Sequence, residues 1–291
     1  MTELVTFESR SLGDRVKRAI RLESSSIKLG NVHPTASFHD LNYHHFELAS
    51  EVIGQTIDRL QKESVGTLVF EATQAMMQVV KTNTSLGTIL LLGPLVVAWR
   101  EALGYESLGA DEEPSLTTIR SVLAGVLSKL NERDSEQIYE AIRIAKAGGL
   151  GTRATMDVHG KAPLRIQDAM RIASEWDDIA LQYATNFDLV FEIAHRLQCK
   201  KELSLGWLDA IRQIQLELLS ERVDSLIARK RGLEFAREIK SRVKNVRASG
   251  EFGSPVFELA WRELDQQMRD ESHGGNPGTI ADLIATALFL R

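Results

Sequence analysis

The stretch Val65-Gly66-Thr67-Leu68-Val69-Phe70-Glu71-Ala72-Thr73-Gln74-Ala75-Met76-Met77-Gln78-Val79-Val80 decides the fold class. Val65, Leu68, Val69, Ala72, Met76 and Val80 recur at three- and four-residue steps. That spacing stacks them on one face of a helix and cannot produce the alternation of a half-buried strand. Trp207, Ile211, Ile214 and Leu218 repeat the pattern, as do Ile138, Ala141, Ile142 and Ala145. No alternating segment is long enough for a sheet. The chain is therefore expected to be all-α, one compact domain over residues 1–291 with about twelve helices. The expected helical spans are 11–24, 42–62, 65–81, 85–103, 115–131, 135–146, 166–183, 185–197, 205–229, 231–248, 255–270 and 279–290.

Local punctuation supports this division. Ser254-Pro255 reads as an N-cap followed by proline at the first helical position. Asp134 followed by Gln137 reads as another capped start. Pro94 lies inside an apolar run and is expected to kink that helix or end its first half, because it lacks an N–H and crowds the preceding turn. The loops fall at 25–41, 104–114, 147–165 and 271–278. The longest runs from Ala147 to Arg165 and contains Gly148-Gly149-Leu150-Gly151; a loop of that length in a helical domain points to a functional role. No strand precedes those glycines, so they are not a dinucleotide fingerprint. No fixed-period repeat or low-complexity linker divides the chain.

Composition narrows the function classes. The formal net charge is −5, from 35 Lys+Arg against 40 Asp+Glu, which argues against nucleic acid as a partner. A lone Cys199 has no disulfide partner and no companion thiolate for a metal, so a reducing, cytoplasmic setting is expected. The first residues carry no basic segment followed by an apolar run, unlike a signal peptide. The apolar run Leu86–Trp99 is too short for a bilayer, which needs about 20 residues, so no membrane partner is expected. A homodimer remains open.

The chain closes on His273-Gly274-Gly275-Asn276-Pro277-Gly278-Thr279-Ile280-Ala281-Asp282 and an apolar helix. A helix start offers free N–H groups and a positive dipole end to an anion such as phosphate. Asp282 would repel a bare phosphate, and a divalent cation between them resolves the conflict. The plainer reading is a capping box from Thr279 to Asp282. His39, Asp40, His44 and His45 raise the question of zinc. His44 and His45, being adjacent, point in different directions on a helix, and no His-Glu-x-x-His spacing is present, so no structural zinc site is expected. Asp40 is better read as part of a polar site.

Several segments, in order, resemble the triphosphoribosyl-dephospho-CoA synthase family. Asn276-Pro277-Gly278-Thr279-Ile280-Ala281-Asp282-Leu283-Ile284-Ala285 is similar to its closing Ser-Pro-Gly-Gly-Ser-Ala-Asp-Leu-Leu-Ala. Lys28-Leu29-Gly30-Asn31-Val32 is similar to its Lys-Pro-Gly-Leu-Val. Asp40-Leu41-Asn42-Tyr43 with Phe46 resembles its Asp-Met-x-Tyr/Phe-x-x-Phe stretch. Asn83-Thr84-Ser85-Leu86-Gly87 stands where the family has Asn-Thr-His-Lys-Gly. Asp224-Ser225-Leu226 and Arg229-Lys230-Arg231-Gly232 resemble its Asp-Thr-Asn and Arg-Gly-Gly segments. The matches span about residues 20–290. The His-Lys pair is replaced by Ser85-Leu86, which removes a proton carrier and a phosphate-binding charge and marks a divergent branch.

The resemblance implies an ATP-using transferase. A (tri)phosphoribosyl group would pass from ATP to 3′-dephospho-CoA or a related nucleotide-like acceptor, releasing adenine, with Mg²⁺ on the triphosphate. It assigns catalytic roles to Asp40, Asp224 and Asp282, and the metal to Asp224 and Asp282. Nucleotide contacts fall to Lys28, Gly30, Asn83, Thr84, Ser85, Gly87, Arg229, Arg231, Gly278 and Thr279, with the choice between Arg229 and Arg231 open. Each has a plainer role: Lys28 as a solvated lysine, Asn83-Thr84-Ser85 as helix caps, 224–231 as a salt-bridged surface helix. Two other readings remain. One is a ribosyl-phosphate or nucleotide-dependent step in assembling a pterin-type one-carbon carrier. The other is a nucleotide-binding scaffold without chemistry.

Overall fold

In the computed structural model, residues 11–105, 112–151, 155–202, 206–269 and 273–291 are described. They form fourteen helices and no strand, with one isolated bridge between His33 and Ala36. The helices are α1 Leu12–Ser25, α2 Tyr43–Arg59, α3 Val65–Val80, α4 Leu86–Tyr105, α5 Leu116–Lys129, α6 Glu132–Ile144 and α7 Ile166–Ala173, followed by α8 Asp178–Ala184, α9 Asp188–Glu202, α10 Trp207–Glu221, α11 Ser225–Arg231, α12 Leu233–Ala248, α13 Pro255–Met268 and α14 Gly278–Phe289.

The all-helical expectation holds, and the count rises from about twelve because two expected helices break. The span 166–183 divides into α7 and α8, where Asp177 accepts from the N–H groups of Ile179 (2.8 Å) and Ala180 (3.1 Å) and starts a new helix. The span 205–229 divides into α10 and α11, where Asp224 does the same for Leu226 (2.9 Å) and Ile227 (3.0 Å). A carboxylate in the middle of an apparently continuous stripe competes for N–H groups and resets the helix. The expected start at 205 and end at 270 lie outside the described residues, as do residues 106–111 of the expected 104–114 loop.

Ser254 caps α13 with Pro255 at its first position, as expected. The cap of α6 is Asn131, not Asp134. Asp134 sits three residues inside, closes the reciprocal box, and spends its other oxygen on the Gly66 N–H at 2.8 Å, tying α6 to the start of α3.

Pro94 does not end α4. A proline leaves the carbonyl four residues earlier without its helical donor. That carbonyl belongs to Leu90, and it accepts from the buried Tyr183 hydroxyl of α8 at 2.6 Å. The helix reaches Tyr105, so its Leu86–Gly104 stretch passes the length test for a membrane span that the shorter apolar run does not. Of that window 72% is buried inside the protein, which makes α4 a core helix.

The last helix, α14, is the hub. It packs against α1, α4, α8, α9, α10 and α11. Thr279, Ile280 and Leu283–Phe289 are buried, the composition expected of a helix enclosed on all sides. Its end is held by Arg15, whose Nη1 donates to the Phe289 carbonyl at 3.1 Å while the guanidinium lies 4.3 Å above the Trp99 ring. One apolar core runs from Val16 of α1 to Leu290.

Candidate active site

The packing around α14 leaves a cavity of about 400 Å³ among the described residues. The starts of four helices open onto it: Ser85–Thr88 at α4, Asp177, Ile179 and Ala180 at α8, Leu226 at α11, and Gly278, Thr279, Ala281 and Asp282 at α14. The positive dipole ends of these helices thus converge, with several of their first N–H groups already held by Asn83, Asp177, Asp224 and Asp282, a setting that favours negative charge. Lys146, Arg229, Lys230 and His273 add cationic or proton-carrying side chains to the wall. Leu41, Phe46, Ile142 and Met170 supply an apolar face.

Asp282 is the pivot. Its Oδ1 accepts from the Thr88 N–H (3.0 Å) and the Thr88 hydroxyl (2.6 Å), so it caps α4 from another helix. The capping box from Thr279 to Asp282 does not form: the N-cap residue of α14 is Pro277, which makes no side-chain cap bond, and the Thr279 hydroxyl accepts from Ser225 Oγ at 3.0 Å. Gly87 makes room for Asp282. A Cβ there would lie 2.1 Å from Asp282 Oδ2. Burial pushes the Asp282 carboxyl up to about 7; hydrogen bonds from Thr88 oppose this, and the nearby charges of Glu23 and Asp224 add to it.

Asp224 is 1% exposed and outside the cavity lining. Besides capping α11, it accepts the Ile280 N–H through Oδ2 at 2.8 Å, so one carboxylate caps both α11 and α14. Burial pushes it up to about 6 against those bonds.

The N-terminal motif is a brace. The Lys28 side chain is fully buried; its ammonium lies 3.1 Å from Glu23 Oε1 and donates to the Ser26 carbonyl at 3.2 Å. Gly30 has a left-handed φ of 66°, and a Cβ would lie 2.8 Å from the Gly275 carbonyl oxygen. Its N–H donates to Asp265 at 2.7 Å. Asn31 donates to Asn276 at 2.6 Å. The segment clamps the loop before α14, and Asn31 and Val32 reach the cavity where Lys28 and Gly30 do not.

Of the residues read from sequence, the cavity wall contains Asn83, Thr84, Ser85, Gly87, Arg229, Gly278, Thr279 and Asp282. Asn83 accepts from the Leu86 N–H at 3.1 Å, at the start of α4. Arg229 pairs with Asp177. Arg231 lies outside the wall, its guanidinium 4.3 Å above the Phe235 ring. Lys28, Gly30, Asp40 and Asp224 are also outside it. Asp40 is exposed and pairs with His273 at 2.8 Å.

Sequence reasoning did not single out Glu23, Lys146, Asp177 or Lys230 for this wall. Glu23 faces it from α1, its carboxyl pushed up by burial and lowered in part by Lys28. Lys146, expected as the last residue of the helix 135–146, lies instead beyond α6, which ends at Ile144, at a left-handed φ of 49°. The length of the loop that follows was the nearest signal. Asp177 had none, being hidden in an apparently continuous helix.

A helical cavity lined by helix starts, cations and a buried carboxylate is suited to an anionic small molecule. The family model for ATP:dephospho-CoA triphosphoribosyl transferase matches residues 9–291, and the chain belongs to that family of transferases. A crystal structure from Archaeoglobus fulgidus, named as a triphosphoribosyl-dephospho-CoA synthase, is similar at 25% identity and a TM-score of 0.61, over 84% of this chain and 96% of that one. No relative among curated proteins matches.

Proposed function

We propose that the cavity binds ATP with its triphosphate among the starts of α4 and α14 and the cations Lys146, Arg229 and Lys230. The ribose C1–adenine bond breaks, C1 is captured by a ribose hydroxyl of 3′-dephospho-CoA, and the hydroxyl proton leaves with the adenine. The observation that carries this reading is that helix N-termini, cations and the Asp282 carboxylate line one cavity. The oxocarbenium character of such a transfer suits a nearby carboxylate.

Asp282 fits a divalent cation: Oδ1 takes both Thr88 hydrogen bonds, Oδ2 takes none among the described residues, and Glu23 also lines the cavity. Asp224 fits less well, with three backbone donors and no access to the cavity. Mg²⁺, when bound, would neutralise triphosphate charge. The work of such an enzyme suits the cytoplasm, where ATP is supplied.

Incubation with Mg·ATP and dephospho-CoA, with chromatography for adenine and mass spectrometry of the product, tests the proposal. Adenine and a coenzyme product heavier by the triphosphoribosyl group are expected. Neither would appear from a binding scaffold. One observation favours a second reading, a different acceptor such as a pterin-type precursor. Ser85 and Leu86, 3% and 6% exposed, put a hydroxyl and an apolar chain where the family motif has His and Lys. Adenine release that requires such an acceptor would support it.

A further inference from the structure

Outside the constellation around Asp282, one cluster of ligating side chains stands at the rim of the cavity. His39 and Asp40, in the loop before α2, meet His273, in the loop before α14. His273 Nε2 lies 2.8 Å from Asp40 Oδ1, and His39 Nδ1 lies 3.7 Å from the same oxygen. The candidate ligand atoms of all three lie within 4.8 Å of one another. Phe38 stacks on the His273 ring at 4.0 Å and 19°, which sets the imidazole plane. Of the four residues that raise the question of zinc in the sequence, His39 and Asp40 belong to this cluster and His44 and His45 do not. His44 pairs with Glu47, and His45 completes the capping box of α2.

We propose that His39, Asp40 and His273 bind a divalent transition-metal ion of the zinc type. Two imidazole nitrogens and one carboxylate oxygen suit such an ion, whereas Mg²⁺ and Ca²⁺ call for oxygen ligands. Tetrahedral bonds of about 2.0–2.1 Å set ligand atoms roughly 3.3 Å apart. The observed 2.8 and 3.7 Å bracket that value, so side-chain adjustment closes the site. A plain His–Asp pair needs only one imidazole; the second completes a three-donor set. The Lys230 ammonium, 3.4 Å from the His273 carbonyl oxygen, opposes a cation here, and the Asp40 carboxylate offsets it.

Three protein ligands leave a fourth position for water or another oxygen donor. His273 is 14% exposed and lines the cavity, whereas His39 and Asp40 are 68% and 55% exposed. The ion would thus fasten the loop before α2 to the loop before α14 at the cavity mouth. The site stands on its own geometry, independent of the nucleotide reading.

The test is titration of the chelator-stripped full chain with Co²⁺, read by its visible absorption, followed by competition with Zn²⁺. One equivalent should bind, and Zn²⁺ should displace Co²⁺. His39→Ala and His273→Asn should each weaken binding more than about tenfold, since even hydrogen-bond partners of metal ligands cost about 10–100-fold. Asparagine tolerates the left-handed φ of 53° at position 273. His44→Ala, at an equally exposed histidine, should leave binding unchanged. His39 is exposed enough that its variant should fold, which circular dichroism checks, so the test stands even if the His273 variant does not fold. Absence of a cobalt band, or an affinity the same in His39→Ala as in the parent, overturns the proposal.

Discussion

At the scale of the residue, Asp282 joins the two motifs that lie farthest apart in meaning. In sequence it sits near the start of the closing helix; in space it caps α4 through Thr88 and faces the cavity. Its carboxyl, pushed up to about 7 from an ordinary 3.8, holds its proton more tightly folded than unfolded. Its contribution to stability is therefore fully present below about pH 4 and is lost as the pH rises through about 7. Asp224 acts in the same sense, lost as the pH rises through about 6. Asn at 282 keeps an acceptor for Thr88 and carries no charge. The ligand-free Asp282→Asn variant should thus gain in melting temperature relative to the parent between pH 5 and 8, by roughly 2–4 °C for each kcal/mol at this chain size. It should also lose the Mg²⁺ dependence of nucleotide binding, measured at several Mg²⁺ concentrations. A variant less stable at every pH would mark Asp282 as a structural cap, and unchanged Mg·ATP affinity would remove it from the metal site.

At the scale of the element, α4 shows how one helix survives a residue that should interrupt it. Pro94 withholds a donor, and Tyr183 supplies another from α8. The periodicity of 86–105 shows only the apolar run and the proline; the compensating hydroxyl lies on a different helix and has no local signature. Tyr183→Phe keeps the ring and leaves the Leu90 carbonyl buried without a donor, which costs about 1–3 kcal/mol. Chemical denaturation should show a lower midpoint with an unchanged slope. A midpoint equal to the parent's would mean that α4 tolerates the orphaned carbonyl. The broken spans 166–183 and 205–229 teach the same lesson. Apolar spacing continues across each break, but Asp177 and Asp224 start new helices there, and those starts are part of the cavity surroundings.

At the scale of the molecule, α14 couples core and cavity. Its first turns line the cavity and its remainder fills the centre of the packing. A ligand that bridges the starts of α14 and α4 therefore binds the folded chain alone and stabilises it by mass action. If Mg·ATP binds there, saturation at a hundred times its dissociation constant adds about 2.7 kcal/mol. A thermal scan should show the melting temperature climbing with nucleotide in the presence of Mg²⁺, and less without it. No shift at millimolar nucleotide would count against ATP as the ligand.

The helical class, most helix positions and the loops that surround the cavity were legible in the sequence. Hydrophobic spacing of three and four residues is a local property, and turn residues such as Ser254-Pro255 mark boundaries wherever they stand. The motifs were legible as well, and Asn83–Gly87, Arg229, Gly278, Thr279 and Asp282 do meet in one wall. Which side chain of a motif faces that wall was decided by tertiary packing. Lys28 is drawn to Glu23 inside the core, Asp224 spends its oxygens on two helix starts, Arg231 lies on Phe235, and Lys146 turns toward the cavity on a left-handed residue. The physical reason is range. Helix formation follows from neighbours within a turn, whereas the partner of a charged side chain is whichever distant group the packing brings within reach.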